Sequence, residues 1–311
     1  MKKFIILADL TCDLSKEIRD GFEINDYIKG HIHFDDGRDF ETTLDWDNIS
    51  REEFYKALSN KKSKITTAPA SPEEYFETFK KYAEDGYDII SISISSKPSS
   101  TYDVACGAAN RVKELYPECR IECVDSLRMS GGFGLLVVYA HEMKNQGKSF
   151  DEIVAWLEEN KNRVHQMGPI DDLMFVARRG RMSKGKAIMG SFAGVKPMGD
   201  CTKDGFVSVL GKVKGIKKAL QVTTEYIRIA SEDIENSYVL ITHSNREEYA
   251  NALKEMIETE LKPKKVMLSD VFCGSGTNIG PGMISAYFLG ASVSEDLQAE
   301  TEFMNSALEK C

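Results

Sequence analysis

The chain has 311 residues, room for one large domain or two ordinary ones. Its 40 basic and 49 acidic side chains leave a formal charge of −9, which argues against the broad cationic face that nucleic-acid backbones require. With 42% hydrophobic and 29% charged residues it is a globular rather than a disordered composition, and no apolar run approaches the roughly 18 residues of a membrane span.

Residues 4–8 read as a first strand, and the apolar run ends at Asp9, too soon for a signal-peptide core. Residues 72–82 follow Ser71 with Pro at the first turn, a helix start. Continuous apolar and β-branched runs at 88–94 and 120–124 predict strands covered on both faces. Helices are expected at 101–115, 131–145 and 150–160, the last opened by a capping box of Ser149 and Glu152. Strands alternating with helices predict an α/β fold whose N-terminal sheet is mainly parallel and flanked by helices. The pattern breaks at 163–170, placing a boundary between an N-terminal α/β domain, 1–165, and a C-terminal α/β domain, 166–311. The second part reads as a helix (170–177), a Gly-rich stretch (180–194) and a strand pair around Asp204-Gly205. After these come a helix (215–231), a strand (238–242), a helix (246–259), a strand (265–269) and a Gly-rich loop (274–282).

Two nucleotide motifs fail on inspection. Residues 180–187 imitate a phosphate-binding loop, but Ala187 lacks the hydroxyl that would ligate magnesium and no apolar strand leads into Gly180. The first strand runs into Asp9-Leu10-Thr11-Cys12-Asp13, with no glycine where a dinucleotide's pyrophosphate would approach. The seven scattered cysteines include only one close pair, Cys119 and Cys123, with no second pair to complete a zinc site. Free thiols in a reducing cytoplasm are the expectation.

Hydroxyl-rich turns past the strand ends are more telling, because ligands of open α/β sheets bind beyond the carboxyl ends of the strands. Thr11, Thr66-Thr67, the run Ser95 to Thr101, and Asp125-Ser126 all occupy such positions, several at helix starts whose N–H groups favour an anion. Each alone is explained as a helix cap; four at one sheet edge suggest a polar or anionic ligand group. Ser99 has no G-x-S-x-G elbow around it, and none of His31, His33, His141, His165 and His243 stands in a motif for a catalytic base. His31 and His33 alternate with Ile32 and Phe34 as on a strand face.

These residues together resemble the DegV family of bacterial lipid-binding proteins across nearly the whole chain. Ala8-Asp9-Leu10-Thr11-Cys12-Asp13-Leu14 is similar to a V-T-D-S-T-x-D-L opening, and Lys64-Ile65-Thr66-Thr67-Ala68-Pro69-Ala70-Ser71 stands where the family has a T-S-Q-P-S turn. Ile94-Ser95-Ser96-Lys97-Pro98-Ser99-Ser100-Thr101-Tyr102 resembles I-S-S-x-L-S-G-T-Y, and Val124-Asp125-Ser126 matches V-D-S. Arg178-Arg179-Gly180-Arg181-Met182-Ser183 resembles R-G-G-R-I-S, Lys196-Pro197-Met198 resembles K-P-I, and Gly276-Thr277-Asn278-Ile279-Gly280-Pro281-Gly282 resembles G-T-H-T-G-P-G.

The resemblance implies a two-domain protein that holds one long-chain fatty acid at the domain interface, with no cofactor, no nucleic-acid partner and no stable membrane insertion. It assigns the carboxylate to Thr67 and Ser99, with N–H groups at Ser100 and Thr101 as further donors and Thr11, Ser126, Asn278 and Arg181 as candidate neighbours. It further implies a carrier, not a catalyst, which presents its acid to a separate fatty-acid kinase for phosphorylation toward phospholipid synthesis. Three departures qualify it: Asn278 replaces the family His and cannot take a charge, Ser100 replaces a glycine, and Lys214 stands for an Arg. A kinase-independent lipid or small-carboxylate sensor, or a hydrolase working through Ser99, are the alternatives.

Overall fold

The computed structural model describes residues 2–60, 63–182 and 194–311. Lys61 and Lys62, and the Ser183 to Ala187 end of the phosphate-loop imitation, lie outside them. Strand β1 (Phe4–Ala8) is followed by a 3-10 turn, Leu10–Cys12, and helix α1 (Lys16–Gly21). Strands β2 (Gly30–His33) and β3 (Asp39–Thr42), helix α2 (Arg51–Ser59) and β4 (Thr66–Pro69) come next. Then α3 (Pro72–Glu84), β5 (Asp88–Ser93), α4 (Thr101–Leu115), β6 (Ile121–Asp125), α5 (Gly131–Asn145) and α6 (Phe150–Asn160) complete the first half. Sheet order β1-β5-β6 is parallel throughout, as the two-sided burial of these runs predicts. Strands β3-β2-β4 form a separate antiparallel sheet.

The second half opens with β7 (Val164–Met167) and α7 (Leu173–Arg178), then the hairpin of β8 (Val195–Cys201) and β9 (Val207–Lys214). Helix α8 (Ile216–Ala230), β10 (Tyr238–His243), α9 (Glu247–Glu260), β11 (Lys265–Asp270), α10 (Cys273–Ile279), β12 (Ile284–Leu289) and α11 (Gln298–Lys310) follow. Its sheet, β11-β10-β12-β7, mixes one parallel pair with two antiparallel ones. Among the described residues no helix is long and apolar enough to cross a membrane.

Local sequence explains most of the boundaries. Ser71 with Glu74 and Ser149 with Glu152 make reciprocal caps that start α3 and α6. Helix α5 is buried on every side over Gly131 to Val138, as a helix apolar all round must be. It packs between the sheets: Leu135, Leu136 and Val138 join one core with Ile6, Ile90 and Val124 on one side and Leu240, Met267 and Tyr287 on the other. Glycine makes this approach possible. A Cβ on Gly134 would lie 2.3 Å from the Cys12 carbonyl oxygen, and one on Gly131 would lie 2.5 Å from the Tyr287 ring.

Two expectations are corrected. Thr66-Thr67 is not a turn past a strand: both residues belong to β4, where Thr67 pairs with Ile32 and Thr66 with His33. β-Branched threonines suit a pleated surface, and Pro69 is tolerated because β4 is an edge strand. The Gly-rich 274–282 stretch is not wholly a loop, since Cys273–Ile279 forms α10. Missing side chains at Gly274 and Gly276 let this short helix press against Leu10 and Phe54, a packing gain that overrides poor helix propensity.

Candidate functional site

The site begins at the end of β1. Asp9 caps the 3-10 turn, accepting from the Thr11 N–H at 2.9 Å and from the Thr11 hydroxyl, while its second oxygen accepts from the Ile94 N–H at 2.9 Å. One buried carboxyl thus ties the loop after β1 to the segment after β5. Burial raises its pKa, opposed by those three hydrogen bonds. Asp13, four residues on, has a left-handed φ of 50° and is also buried. It accepts from the Ser130 hydroxyl at 2.6 Å and the Phe272 N–H at 3.0 Å, linking the first turn to the start of α5 and to the segment before α10.

Burial pushes the Asp13 carboxyl up to about 7, against the hydrogen bonds it accepts. A folded-state pKa above the unfolded value near 3.9 means the folded chain holds this proton more tightly. Stability therefore falls as pH rises from about 4 to about 7, by roughly 4 kcal/mol for a shift of this size. Asp13→Asn is expected to remove this portion of the decline. Denaturant unfolding of both proteins at pH 4.5 and 7.5 checks it, and parallel pH profiles would contradict it.

Between β5 and α4 the chain places Ser99 just ahead of the helix. The Thr101 N–H donates to the Ser99 Oγ at 3.3 Å, and the two side-chain hydroxyls are 2.8 Å apart. From the other half, the Asn278 amide at the end of α10 donates to the Thr67 Oγ1 at 3.4 Å. The Ser275 hydroxyl donates to the Thr11 carbonyl at 3.3 Å, joining the same helix to the first turn. These groups share the wall of one cavity of about 170 Å³.

Thr11, Thr67, Ser99, Asn278 and Arg181 all line this cavity. Ser100 and Ser126 do not. Ser100 is exposed at the start of α4, where Ser99 supplies the side-chain contact, so the expected donor pair is Ser99 and Thr101. Ser126 is fully buried and turned inward: its hydroxyl donates to the Arg128 carbonyl at 3.1 Å and accepts the Arg128 N–H at 3.2 Å, closing the turn after β6. Lys214 is exposed on β9 and likewise off the cavity wall.

The remaining wall is chiefly apolar. Ile94, Met129, Ile170, Leu173, Val176 and Met283 contribute, joined by Met198, Val207 and Val209 of the hairpin. The sequence showed this strand pair and the Lys196-Pro197-Met198 motif but not that Val207 and Val209 line the cavity, because alternation along β9 reads only as an ordinary strand. Nor did it find Ser130, Tyr75 or Thr42 on the wall, which sit there through tertiary packing and carry no motif. Arg181 is half-buried, donates to the Arg179 carbonyl, and has no carboxylate partner among the described residues. Burial, then the neighbouring Arg179, lowers its pKa.

Such a wall can hold an elongated apolar molecule with an acceptor-rich head. It is poorly arranged for nucleophilic catalysis: among the described residues Ser99 has hydrogen bonds only to Thr101, and the one histidine on the wall, His31, is bonded to Glu74 at 3.0 Å.

Comparison with known proteins agrees with the motif pattern. The model described as "Uncharacterised protein, DegV family" matches residues 3–290. A DegV domain-containing protein of Clostridium perfringens is 33% identical over 293 residues, covering 93% of this chain and 98% of its own. Among solved structures, a fatty-acid-binding DegV family protein from Thermus thermophilus superposes with a TM-score of 0.82 at 23% identity, over 93% of this chain and 100% of its own. A stearic-acid-binding protein from Eubacterium ventriosum gives 0.80 at 23% identity, over 92% and 98%. The structural likeness carries the fold, the sequence match carries the kinship, and this chain belongs to the DegV family.

Proposed function

We propose that this protein binds one long-chain fatty acid at the interface of its 1–165 and 166–311 halves, with the acyl tail along the apolar wall. The observation that carries the reading is the presence of neutral hydroxyl and amide donors, Thr67, Ser99, Thr101 and Asn278, on the wall of a chiefly apolar cavity. A carboxylate taken out of water needs several donors, and these come from separate elements of both halves. A sixteen-carbon tail gains at most about 12 kcal/mol at ~0.8 kcal/mol per CH2 before ordering costs, enough for retention through purification. The fatty acids bound by the Thermus and Eubacterium relatives support the ligand class.

In this reading the protein is a cytoplasmic carrier that offers its acid to a separate fatty-acid kinase and performs no chemistry itself. Asn278 favours a second reading, a kinase-independent lipid or small-carboxylate sensor, because an amide at this position cannot carry the positive charge of a histidine. Acyl-phosphate formation by an added kinase on the loaded protein would remove that second reading. Native mass spectrometry of the purified protein, followed by solvent extraction, is expected to reveal one bound fatty acid per chain. Recovery of no lipid, together with no uptake of added long-chain acids, would sink the binding function.

A further inference from the structure

One face of the second sheet looks into the cavity. Strands β12 and β7 pair antiparallel, with Tyr287 opposite Gln166 and Ala286 opposite Met167. Side chains alternate along a strand, so the two pairs face opposite ways. Met167 and Ala286 turn into the apolar core that holds Val239, Ile241 and Phe288. Gln166, Ser285 and Tyr287 take the other face, and all three line the cavity. A polar row thus stands beside Ile170, Met198 and Met283 on the wall along which an acyl tail would lie.

The three side chains differ in what they have left to give. Tyr287 is buried, and its hydroxyl has Thr242, Ser130 and Ser285 as hydrogen-bond partners. Gln166 is bonded only through its backbone, whose N–H donates to the Asp200 carboxylate at 2.8 Å. Its side-chain amide has no hydrogen-bond partner among the described residues. The side chain is only partly buried, and its oxygen and nitrogen are not among the enclosed polar atoms, so the amide is open to the cavity it lines. It offers two donors and an acceptor. The head-group donors come from other elements: Thr67 from β4, Ser99 and Thr101 from around the start of α4, and Asn278 from the end of α10. A run of methylenes laid against Gln166 would displace water from the amide and return no hydrogen bond, which is unfavourable. An oxygen on the chain removes that conflict.

We infer that Gln166 forms a second polar subsite in this cavity, one that takes an oxygen carried on the acyl chain itself, so that a hydroxy or oxo fatty acid is preferred to a plain saturated one. The subsite presupposes the fatty-acid reading above and narrows its ligand. A hydroxyl on the chain both donates to the amide oxygen and accepts from the amide nitrogen, and a keto oxygen accepts.

Titration of stearate, 10-hydroxystearate and 12-hydroxystearate into the wild-type protein, Gln166→Leu and Gln166→Met tests the assignment. In the wild type at least one hydroxystearate is expected to bind about tenfold more tightly than stearate, as one hydrogen bond restored to a desolvated amide predicts. Leu and Met keep most of the bulk and remove the amide, so both variants are expected to lose that preference and to gain affinity for stearate. The wild-type comparison needs no variant, so it stands even where a substitution prevents folding. Binding of both hydroxystearates no tighter than stearate by the wild type overturns the Gln166 subsite alone. So does a hydroxystearate preference that survives in a folded Gln166→Leu or Gln166→Met protein. Failure of the wild type to bind any of the three acids overturns the lipid-binding reading and the subsite with it.

Discussion

Combining Thr67→Val with Ser99→Ala is expected to weaken fatty-acid binding by about 3–5 kcal/mol, a loss of some two to four orders of magnitude in affinity. Thr67 lies on β4 and Ser99 ahead of α4, so the two hydroxyls reach the cavity from separate elements and neither can replace the other. Valine preserves the shape of threonine and removes only its hydroxyl, leaving the Asn278 amide to face an apolar group. Ser99→Ala also removes the acceptor of the Thr101 N–H, a contact water can replace at a half-exposed position. Competitive titration against a fluorescent fatty acid measures the change. Unchanged affinity would contradict the placement of the carboxylate.

The largest expected effect on stability lies away from the cavity. Asp200 on β8 is fully buried and accepts four donors: the His165 Nδ1 at 2.7 Å, the Tyr226 hydroxyl at 2.9 Å, the Gln166 N–H at 2.8 Å and the Cys201 N–H at 2.6 Å. The other ring nitrogen of His165 meets the Ala291 carbonyl at 2.8 Å, so both nitrogens face acceptors and the imidazolium form fits. Burial alone would lower the His165 pKa, yet the charge and hydrogen bond of Asp200, with the Ala291 carbonyl, raise it above the ordinary value.

Asp200→Ala leaves a buried cation, a phenol and two backbone N–H groups without their acceptor. A loss of about 3–5 kcal/mol is expected, the range for breaking a buried pair by removing one partner. A raised folded-state pKa fixes the sign of the pH dependence. The pair's stabilisation is complete below the unfolded histidine value near 6.5 and is lost as pH rises through the higher folded value. The difference between wild type and Asp200→Ala in denaturant unfolding should therefore narrow on moving from pH 6 toward alkaline conditions. A difference that widened with pH would refute the charged histidine.

Elements whose signals are local were legible in the chain. The caps at Ser71 and Ser149 announced α3 and α6, and the apolar runs of β1, β5 and β6 announced a buried parallel sheet. Elements decided by distant partners were not. Thr66-Thr67 becomes a strand because β2 lies beside it, and Cys273–Ile279 becomes a helix because Leu10 and Phe54 fill the space its glycines leave. The candidate site divides in the same way. Motif positions placed Thr67, Ser99 and Asn278 on one wall, whereas Ser126 turned inward because its hydroxyl closes its own turn with Arg128. No local pattern distinguishes a serine that faces a ligand from one that faces its own backbone.

Helix α5 shares an apolar core with strands of both sheets, and under the proposed lipid-binding function this bears on how a ligand would enter. Swinging the halves apart like a jaw would strip apolar cover from Leu135, Leu136 and Val138 at one stroke, exposing a seam the molecule has no means of hydrating cheaply. Ser130, at the head of that helix, lies on the cavity wall and ties it to Asp13 of the first turn.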